Sequence, residues 1–354
     1  CGGLSLGFKE NGFKVLAHLE IDKSCCATLR NNFNKDGKIF NEDIKNTKNY
    51  ITDLKKMGKI HGIIGGPPCQ AYSIAGRNKD ENMMDHDPRN FLFESFVENL
   101  EQLKPSFFLF ENVTGMLSAR PFGLDICEKI RSAFLSAGYE MPDNFKDCVF
   151  DMSKYGIPQK RSRVILFGIR RSNSKSKKNL VEAFYKNVRR NVLKKSTTVY
   201  DAIHDLPKLT DKNPVSEDSE HFLRYRNDRD RGIFELLAKD IQDGTEKYKT
   251  TDSLKKLYHK LTGNESAVHK YHVLREDEPS NTIPAHIYKD GLRHIHPDPK
   301  QARTLSIREV MRIMTFPDSF VLSGSNGDKY KMLGNAVPPK FSSILAIEIK
   351  KLLS

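Results

Sequence analysis

The sequence lacks long apolar runs and paired cysteine motifs, and both absences exclude classes of protein. It has no signal peptide and no run of about 18 apolar residues, which predicts a cytoplasmic protein without a membrane partner. Its six cysteines form no CxxC pair and have no histidine ligand pattern nearby. We therefore expect neither a disulfide framework nor a metal site, and reduced thiols fit better.

What the chain has in excess is positive charge. Its 58 Lys and Arg against 45 Asp and Glu give a net charge of +13. Such an excess favours a polyanionic partner such as nucleic acid, although a basic protein without that partner is an equally simple interpretation. With 354 residues, 38% of them hydrophobic, the chain is expected to form one large domain and a smaller one.

The first half of the chain alternates predicted strands and helices, which indicates an α/β fold with a mostly parallel sheet. It opens on a glycine turn, Gly2-Gly3, before a helix, and a strand over 13–19 then ends at Glu20. A glycine-rich turn, a helix, a strand and an acid is the layout of a nucleotide-binding βαβ half. An ordinary turn with a strand-end carboxylate is the alternative.

One stretch carries an unusual cysteine. A short apolar strand over 60–64 runs into Gly65-Gly66-Pro67-Pro68-Cys69. Glycines allow close approach and prolines stiffen the chain, so this loop would present one thiol at the carboxyl end of a strand, where α/β proteins bind ligands. A small buried cysteine in a proline-rich turn is the alternative.

Two further strand ends carry charge. The apolar run 107–110 stops at Glu111, and a carboxylate there requires water, a ligand or a partner. Before the predicted strand 164–169, Arg161 and Arg163 alternate, so they face the same side and could grip a phosphate or a carbonyl. A solvated strand end and exposed edge arginines are the plainer alternatives.

The order of these motifs resembles the DNA (cytosine-5) methyltransferases, of the compact bacterial modification type. The resemblance spans nearly the whole chain and rests on Gly2-Gly3, Glu20, Pro67-Pro68-Cys69-Gln70, Asp87-Pro88-Arg89-Asn90, Glu111-Asn112-Val113, Gln159-x-Arg161-x-Arg163, Arg308-Glu309, Phe316-Pro317-Asp318 and Gly334-Asn335-Ala336-Val337-Pro338-Pro339. It implies a Rossmann-like class I methyltransferase sheet with a smaller, irregular target-recognition domain. The implied substrate is double-stranded DNA, and the implied methyl donor is S-adenosyl-L-methionine, which leaves as S-adenosyl-L-homocysteine.

The resemblance also assigns roles to residues. Cys69 matches the nucleophile, Glu111 the carboxyl that engages the cytosine ring, Arg163 the group that holds the base carbonyl, and Arg161 its support. The implied cofactor-binding residues are Gly2, Gly3, Leu4, Glu20, Ile21, Asp43, Ile44, Pro68, Leu92, Asn335 and Val337. The expected DNA-binding residues are Gln70, Ser73, Gln159, Arg224, Arg226 and Arg229.

The expected domains are a catalytic and cofactor-binding domain over 1–170, a target-recognition domain over 171–326, and a segment over 327–354 that returns to the catalytic domain. We expect a monomer with a possible cognate restriction endonuclease. Two departures from the family pattern stand out: the strand before Cys1 is absent, and methionines replace the usual glutamines at Met314 and Met332. Both methionines are expected to be packing positions.

Three other functions are compatible with parts of this pattern. A cytosine-5 methyltransferase acting on transfer RNA would share the motifs, but its Cys-Phe-Thr signature is missing here. A DNA-binding relative without catalysis would not need Cys69, Glu111 and Arg163 together. A nicotinamide oxidoreductase would share only the βαβ half and would leave Cys69 and Asn335 unexplained.

Overall fold

The computed structural model describes residues 1–67, 92–171, 177–224, 228–265, 271–289 and 291–353, without the side chains of Phe122 and Arg229. The chain divides into two compact units. Unit 1 contains Cys1–Tyr155, Arg161–Leu193 and Pro339–Ser354, and unit 2 contains Gly156–Lys160 and Lys194–Pro338. The boundaries expected from the sequence, after residues 170 and 326, differ from this division, because 171–193 lies in unit 1 and 327–338 in unit 2.

The strands of the described residues all belong to unit 1. They are β1 (Ala17–Glu20), β2 (Lys38–Asn41), β3 (Gly62–Gly65), β4 (Phe107–Val113), β5 (Tyr139–Glu140), β6 (Val149–Asp151) and β7 (Ser162–Arg170).

The helices occur in both units, and short 3₁₀ turns join several of them. In chain order they are α1 (Gly3–Glu10), α2 (Lys23–Phe33), α3 (Ile51–Lys56), α4 (Leu92–Leu103), α5 (Ile126–Ser136), α6 (Lys178–Arg190), α7 (Val199–Ile203), α8 (Asp228–Gln242), α9 (Thr251–Thr262), α10 (Ile307–Ile313), α11 (Asn326–Asn335) and α12 (Pro339–Leu353). No helix in the described ranges is both long and apolar enough to span a membrane.

The strands of unit 1 form two sheets, one of them mixed. β1 and β2 pair in parallel, with Glu20 opposite Asn41. The larger sheet has the order β3-β4-β7-β5, with β6 also paired to β7. β3 and β4 are parallel, whereas β7 is antiparallel to β4, β5 and β6. The predicted α/β class is confirmed, and the prediction of a mostly parallel sheet is wrong for β7 and its partners.

Aromatic packing covers one face of the larger sheet. Phe96 of α4 lies edge-on to Phe110 of β4, with ring centroids 5.3 Å apart. Phe134 of α5 stacks on Phe108 at 4.3 Å. All four rings are buried, and such edge and offset contacts add to the free energy of burying the rings. Helices α4 and α5 are thereby fixed against the strand that carries Glu111.

The last helix of the chain returns to unit 1 and packs on the first. A Cβ atom on Gly7 of α1 would collide with the backbone of Ser342 and Ser343 in α12, so the two helices touch backbone to backbone. The Ser342 hydroxyl also donates to the Leu4 carbonyl oxygen. The C-terminal end of the chain is thus a helix of unit 1, and it holds the helix that follows the glycine turn.

Unit 2 has an apolar cluster and a buried ion pair. The cluster joins α8 and α9 through Phe234, Leu254 and Leu257. Elsewhere in the unit, Arg303 donates to both carboxylate oxygens of Glu309, at 2.7 Å and 2.6 Å. Both side chains are 1% exposed. Burial alone would raise the pKa of Glu309, but the charge and hydrogen bonds of Arg303 lower it to about 2.

This pair predicts a large loss of stability when one partner is removed. Glu309→Ala should lower the free energy of unfolding by about 3–5 kcal/mol, because the charge of Arg303 stays buried without a carboxylate. Asp318→Ala is the matched control, since it removes a half-exposed carboxylate from Arg312 and should cost less than about 1 kcal/mol. Urea denaturation measures both changes, and similar losses would contradict the assignment.

Three buried histidines predict that stability falls with decreasing pH. Burial lowers the pKa of His18 and His296 to about 4 and that of His294 to about 3. Each therefore binds its proton more weakly in the folded than in the unfolded protein, whose histidines titrate near about 6.5. The free energy of unfolding should decrease from pH 6.5 toward pH 4, and His294→Gln should flatten that dependence. Denaturation curves across this range test both statements, and a flat wild-type profile would refute them.

Candidate active site

The strongest candidate site lies where β4 and β7 run side by side. Glu111 follows the buried residues Phe107–Phe110 on β4, and the antiparallel register places Val113 opposite Arg163. The Nε atom of Arg163 lies 3.0 Å from Oε1 of Glu111, and the two side chains are 14% and 12% exposed. A carboxylate and a guanidinium are thus paired where each keeps limited access to solvent.

The loop after β3 begins against the same carboxylate. Gly65 of β3 lies opposite Phe110 of β4, so Gly66 is brought alongside Glu111. A Cβ atom at Gly66 would lie 2.6 Å from Oε2 of Glu111. Any other residue at position 66 would displace the carboxylate from this place, and glycine allows the close approach.

Arg161 lies two residues before Arg163 and is 1% exposed. Burial, followed by repulsion from Arg163, lowers the pKa of its guanidinium, while the charge of Glu111 opposes that change. Its backbone carbonyl accepts a hydrogen bond from the Met152 amide at 2.9 Å. Arg161 is thus a buried charge beside the pair, and its supporting role stays a prediction.

Several predicted site residues lie outside the described residues. They are Pro68, Cys69, Gln70, Ser73, Arg226 and the whole motif Asp87-Pro88-Arg89-Asn90, together with the side chain of Arg229. Of the four predicted catalytic residues, the structure brings together Glu111, Arg161 and Arg163.

The predicted cofactor residues of the smaller sheet lie at the ends of neighbouring strands. Glu20 closes β1 and Asp43 comes two residues after β2, and the two strands are parallel and paired. Oε1 of Glu20 accepts the Asp22 amide at 3.0 Å, and Oδ1 of Asp43 accepts the Lys45 amide at 3.0 Å. Ile21 is 63% exposed. Two carboxylates and an exposed apolar side chain suit a nucleoside, which offers hydroxyl and amino donors and a flat ring.

The other predicted cofactor residues are distributed over both units. Gly2 caps α1 in the left-handed region with φ of 94°, and Gly3 and Leu4 begin that helix. Leu92 is the buried first residue of α4. Asn335 and Val337 lie in unit 2, where Asn335 ends α11 and is exposed while Val337 is buried.

The described DNA-contact candidates are engaged inside unit 2. Gln159 is fully buried, with its Nε2 donating to the sulfur of Met314 at 2.9 Å and its Oε1 accepting from the Ile283 amide at 3.1 Å. This burial disagrees with the predicted DNA contact. Arg224 donates to the carbonyl oxygens of Ile287 and Tyr288.

The two methionines at unusual positions are packing residues, as expected. Met314 is fully buried and Met332 is 4% exposed. The Met314 sulfur takes the hydrogen bond of Gln159, so this methionine has a polar contact that the sequence did not indicate.

Sequence reasoning missed Tyr50 and Asn99, which are hydrogen-bonded to each other in the interior of unit 1. The available signal was Asn99 itself, because it lies at helical spacing among the apolar residues of α4. A buried amide on an apolar helix face requires a polar partner.

The comparisons with known proteins identify a family. The family model of C-5 cytosine-specific DNA methylases matches residues 1–351. Type II methyltransferase M.Bpa9945I of Bacillus paralicheniformis is 29% identical over 446 residues, covering 100% of this chain and 97% of the relative. Type II methyltransferase M.MthTI of Methanothermobacter thermautotrophicus is 32% identical over 370 residues, with 99% and 94% covered.

A solved structure agrees as well. A putative DNA modification methyltransferase encoded within an E. coli prophage superposes with a TM-score of 0.67 at 26% identity, covering 99% of this chain and 96% of the other. Such neighbours have the class I methyltransferase fold, so the predicted fold class is confirmed. The family model spans nearly every residue, and the relatives are named as type II methyltransferases. The chain therefore belongs to the C-5 cytosine-specific DNA methylase family.

Proposed function

We propose that the protein methylates carbon 5 of cytosine within a specific sequence of duplex DNA, through a covalent bond from Cys69 to carbon 6 of the base. The observation that carries the proposal is the Glu111–Arg163 pair beside Gly66. The pair offers an acceptor and a donor to one edge of a base, and the chain leads from Gly66 to the only cysteine of the loop. S-adenosyl-L-methionine, when bound, supplies the methyl group.

The reaction requires a nucleophile because carbon 5 of cytosine is itself a poor one. Addition of a thiolate to carbon 6 breaks the aromaticity of the ring and makes carbon 5 enamine-like. Once carbon 5 carries the new methyl group, loss of its proton and departure of the thiolate restore the ring. Cys69 suits this role because it follows Gly66 by three residues, and three residues of chain span at most about 11 Å.

Glu111 and Arg163 would hold the base during this addition. The Glu111 carboxyl would accept from the amino group and pass a proton to ring nitrogen 3, so that the negative charge that develops as sulfur adds to carbon 6 is neutralised. Arg163 would donate to the base carbonyl, and its fixed guanidinium plane suits that acceptor. The 3.0 Å contact between the two side chains supports their acting on one ligand.

The cofactor would be held at the ends of β1 and β2. Glu20 would accept hydrogen bonds from the ribose hydroxyls and Asp43 from the adenine amino group, while Ile21 would pack against the ring. The acceptors and the exposed Ile21 fit these groups. The glycine turn at Gly2-Gly3 would allow the cofactor to approach the backbone.

The DNA substrate must expose the target base. The thiol must approach carbon 6 from one face of the ring, and in a duplex the stacked neighbouring bases cover both faces. The base would therefore be flipped out, at a cost of a few kcal/mol. The net charge of +13 would favour the phosphate backbone. Because the relatives are named as type II methyltransferases, we place this protein in a restriction–modification setting with a cognate endonuclease.

A mechanism-based trap tests the covalent step. Duplex DNA with 5-fluorocytosine at the recognition site should form a stable adduct with Cys69 in the presence of cofactor, because fluorine cannot leave as a proton. Mass mapping of the trapped peptide identifies the attachment site, and Cys69→Ser is the control that should give no adduct. Attachment to another residue, or no adduct with active enzyme, would rule out this mechanism.

A second experiment tests the role of Glu111. Glu111→Gln should lower turnover by about 100- to 10,000-fold, the range expected for a lost acid or base, while DNA affinity changes by less than about twofold. Glu140→Gln is the matched control, because Glu140 also lies on the larger sheet and pairs with Arg171 at 3.3 Å. Methyl transfer and gel-shift assays measure the two quantities. Equal losses of turnover and DNA binding would make Glu111 a structural residue instead.

A further inference from the structure

The turn that carries Asp43 and Ile44 is stabilised by hydrogen bonds between its own residues. Oε1 of Glu42 accepts from the Asp43 amide and from the Asn46 side chain, both at 3.0 Å. Its Oε2 accepts from the Asn49 side chain at 2.8 Å. One carboxylate therefore closes the turn over residues 42–49, but Glu42 is only half-buried, so water competes with these bonds.

A second set of hydrogen bonds is buried and connects the turn to helix α4. The Tyr50 hydroxyl donates to the Ile44 carbonyl oxygen at 2.9 Å and accepts from the Asn99 side chain, also at 2.9 Å. Tyr50 is 1% exposed and Asn99 is 5% exposed. The Asn99 amide also donates to the Ser95 carbonyl within α4. In the interior such bonds are stronger than in water, and each lost partner leaves a polar group unsatisfied.

Helix α4 also contacts the strands that lead to the catalytic pair. Phe96 lies one turn before Asn99 and packs edge-on against Phe110, the residue before Glu111. A Cβ atom on Gly65 would lie 3.3 Å from the Phe96 ring. The same helix therefore holds the Ile44 carbonyl through Asn99 and Tyr50, and packs against the ends of β3 and β4 through Phe96.

We propose that Tyr50 and Asn99 are positioning residues for cofactor binding, which set the place of the Asp43–Ile44 turn relative to α4. The inference rests on the proposed function, because that proposal gives the turn its contact with the adenine. Without the bond from Tyr50 to the Ile44 carbonyl, the turn would still form through the hydrogen bonds of Glu42. Its position would then be fixed only when the cofactor binds, and this ordering would use part of the binding free energy. Affinity for the cofactor should then fall while the chemical step is unchanged.

The chain offers a matched control for a purely structural role. Tyr139 is also 1% exposed, and its hydroxyl also donates to a backbone carbonyl, that of Pro105, at 2.9 Å. Pro105 precedes β4, at the opposite end of the strand from Glu111. Tyr50→Phe and Tyr139→Phe therefore each remove one buried hydroxyl and the bond it donates from unit 1, and only the first lies at the turn. Tyr50→Phe also removes the acceptor of Asn99, whose amide keeps its bond to the Ser95 carbonyl.

The experiment compares S-adenosyl-L-homocysteine binding by calorimetry in Tyr50→Phe, Tyr139→Phe, Asp43→Ala and the unchanged protein. Tyr50→Phe should weaken binding by about five- to tenfold, the effect of one buried hydrogen bond. Its kcat at saturating cofactor should stay within about twofold of the original. Tyr139→Phe should leave the affinity unchanged although it lowers the unfolding temperature to a similar extent.

The outcomes separate this inference from the function on which it rests. Weakened binding in Asp43→Ala with normal binding in Tyr50→Phe overturns the inference alone. Normal binding in both variants overturns the role of the turn as well. Equal weakening in Tyr50→Phe and Tyr139→Phe makes the effect global and also overturns the inference. In the expected case, combining Tyr50→Phe with Asn99→Leu should weaken binding no further than Tyr50→Phe alone, because both changes break one connection.

Discussion

The ion pair of Glu111 and Arg163 depends on the register between β4 and β7. In an antiparallel pair, a slip of one residue would turn every side chain to the opposite face of the sheet. The register is held because both strands are apolar and buried along most of their length: Phe107–Phe110 on β4 and Val164–Ile169 on β7. The two charged side chains lie at the end of this buried pairing and are held within 3.0 Å of each other. The core thus sets the geometry of the site.

Glycines allow the strands to approach the aromatic core and the carboxylate. A Cβ atom on Gly62 would overlap the ring of Phe107, and one on Gly168 would overlap the ring of Phe108. These two glycines leave room for neighbouring phenylalanines to lie flat across the sheet. Gly66 has the same role toward Glu111, where the neighbour is the carboxylate. Small residues therefore serve both the packing within the sheet and the close approach of the chain after β3 to Glu111.

The local elements could be predicted from the sequence, but the contacts between distant segments could not. The strand that carries Glu111 begins at Phe107, where the apolar run in the sequence begins, because hydrophobic patterning is a local signal. The antiparallel direction of β7 has no local signal. The same holds for the burial of Gln159 and for the bond of Tyr50 to Asn99, which are 49 residues apart. The order of the motifs in the sequence proposed the residues of the candidate site. The structure shows which of the described ones lie next to each other.

The excess of Lys and Arg is a weak guide to DNA contacts, because several arginines of unit 2 make ion pairs or hydrogen bonds within that unit. Arg303 is buried against Glu309, and Arg308 is 7% exposed and paired with Asp218. Arg224 is bound to two backbone carbonyls. A guanidinium held in this way has fewer N–H donors left for DNA, and giving up its internal partners would leave their acceptors without a hydrogen bond. Direct readout is therefore better sought among cations that keep their donors in solvent, and burial, more than the number of arginines, should decide which side chains read the DNA.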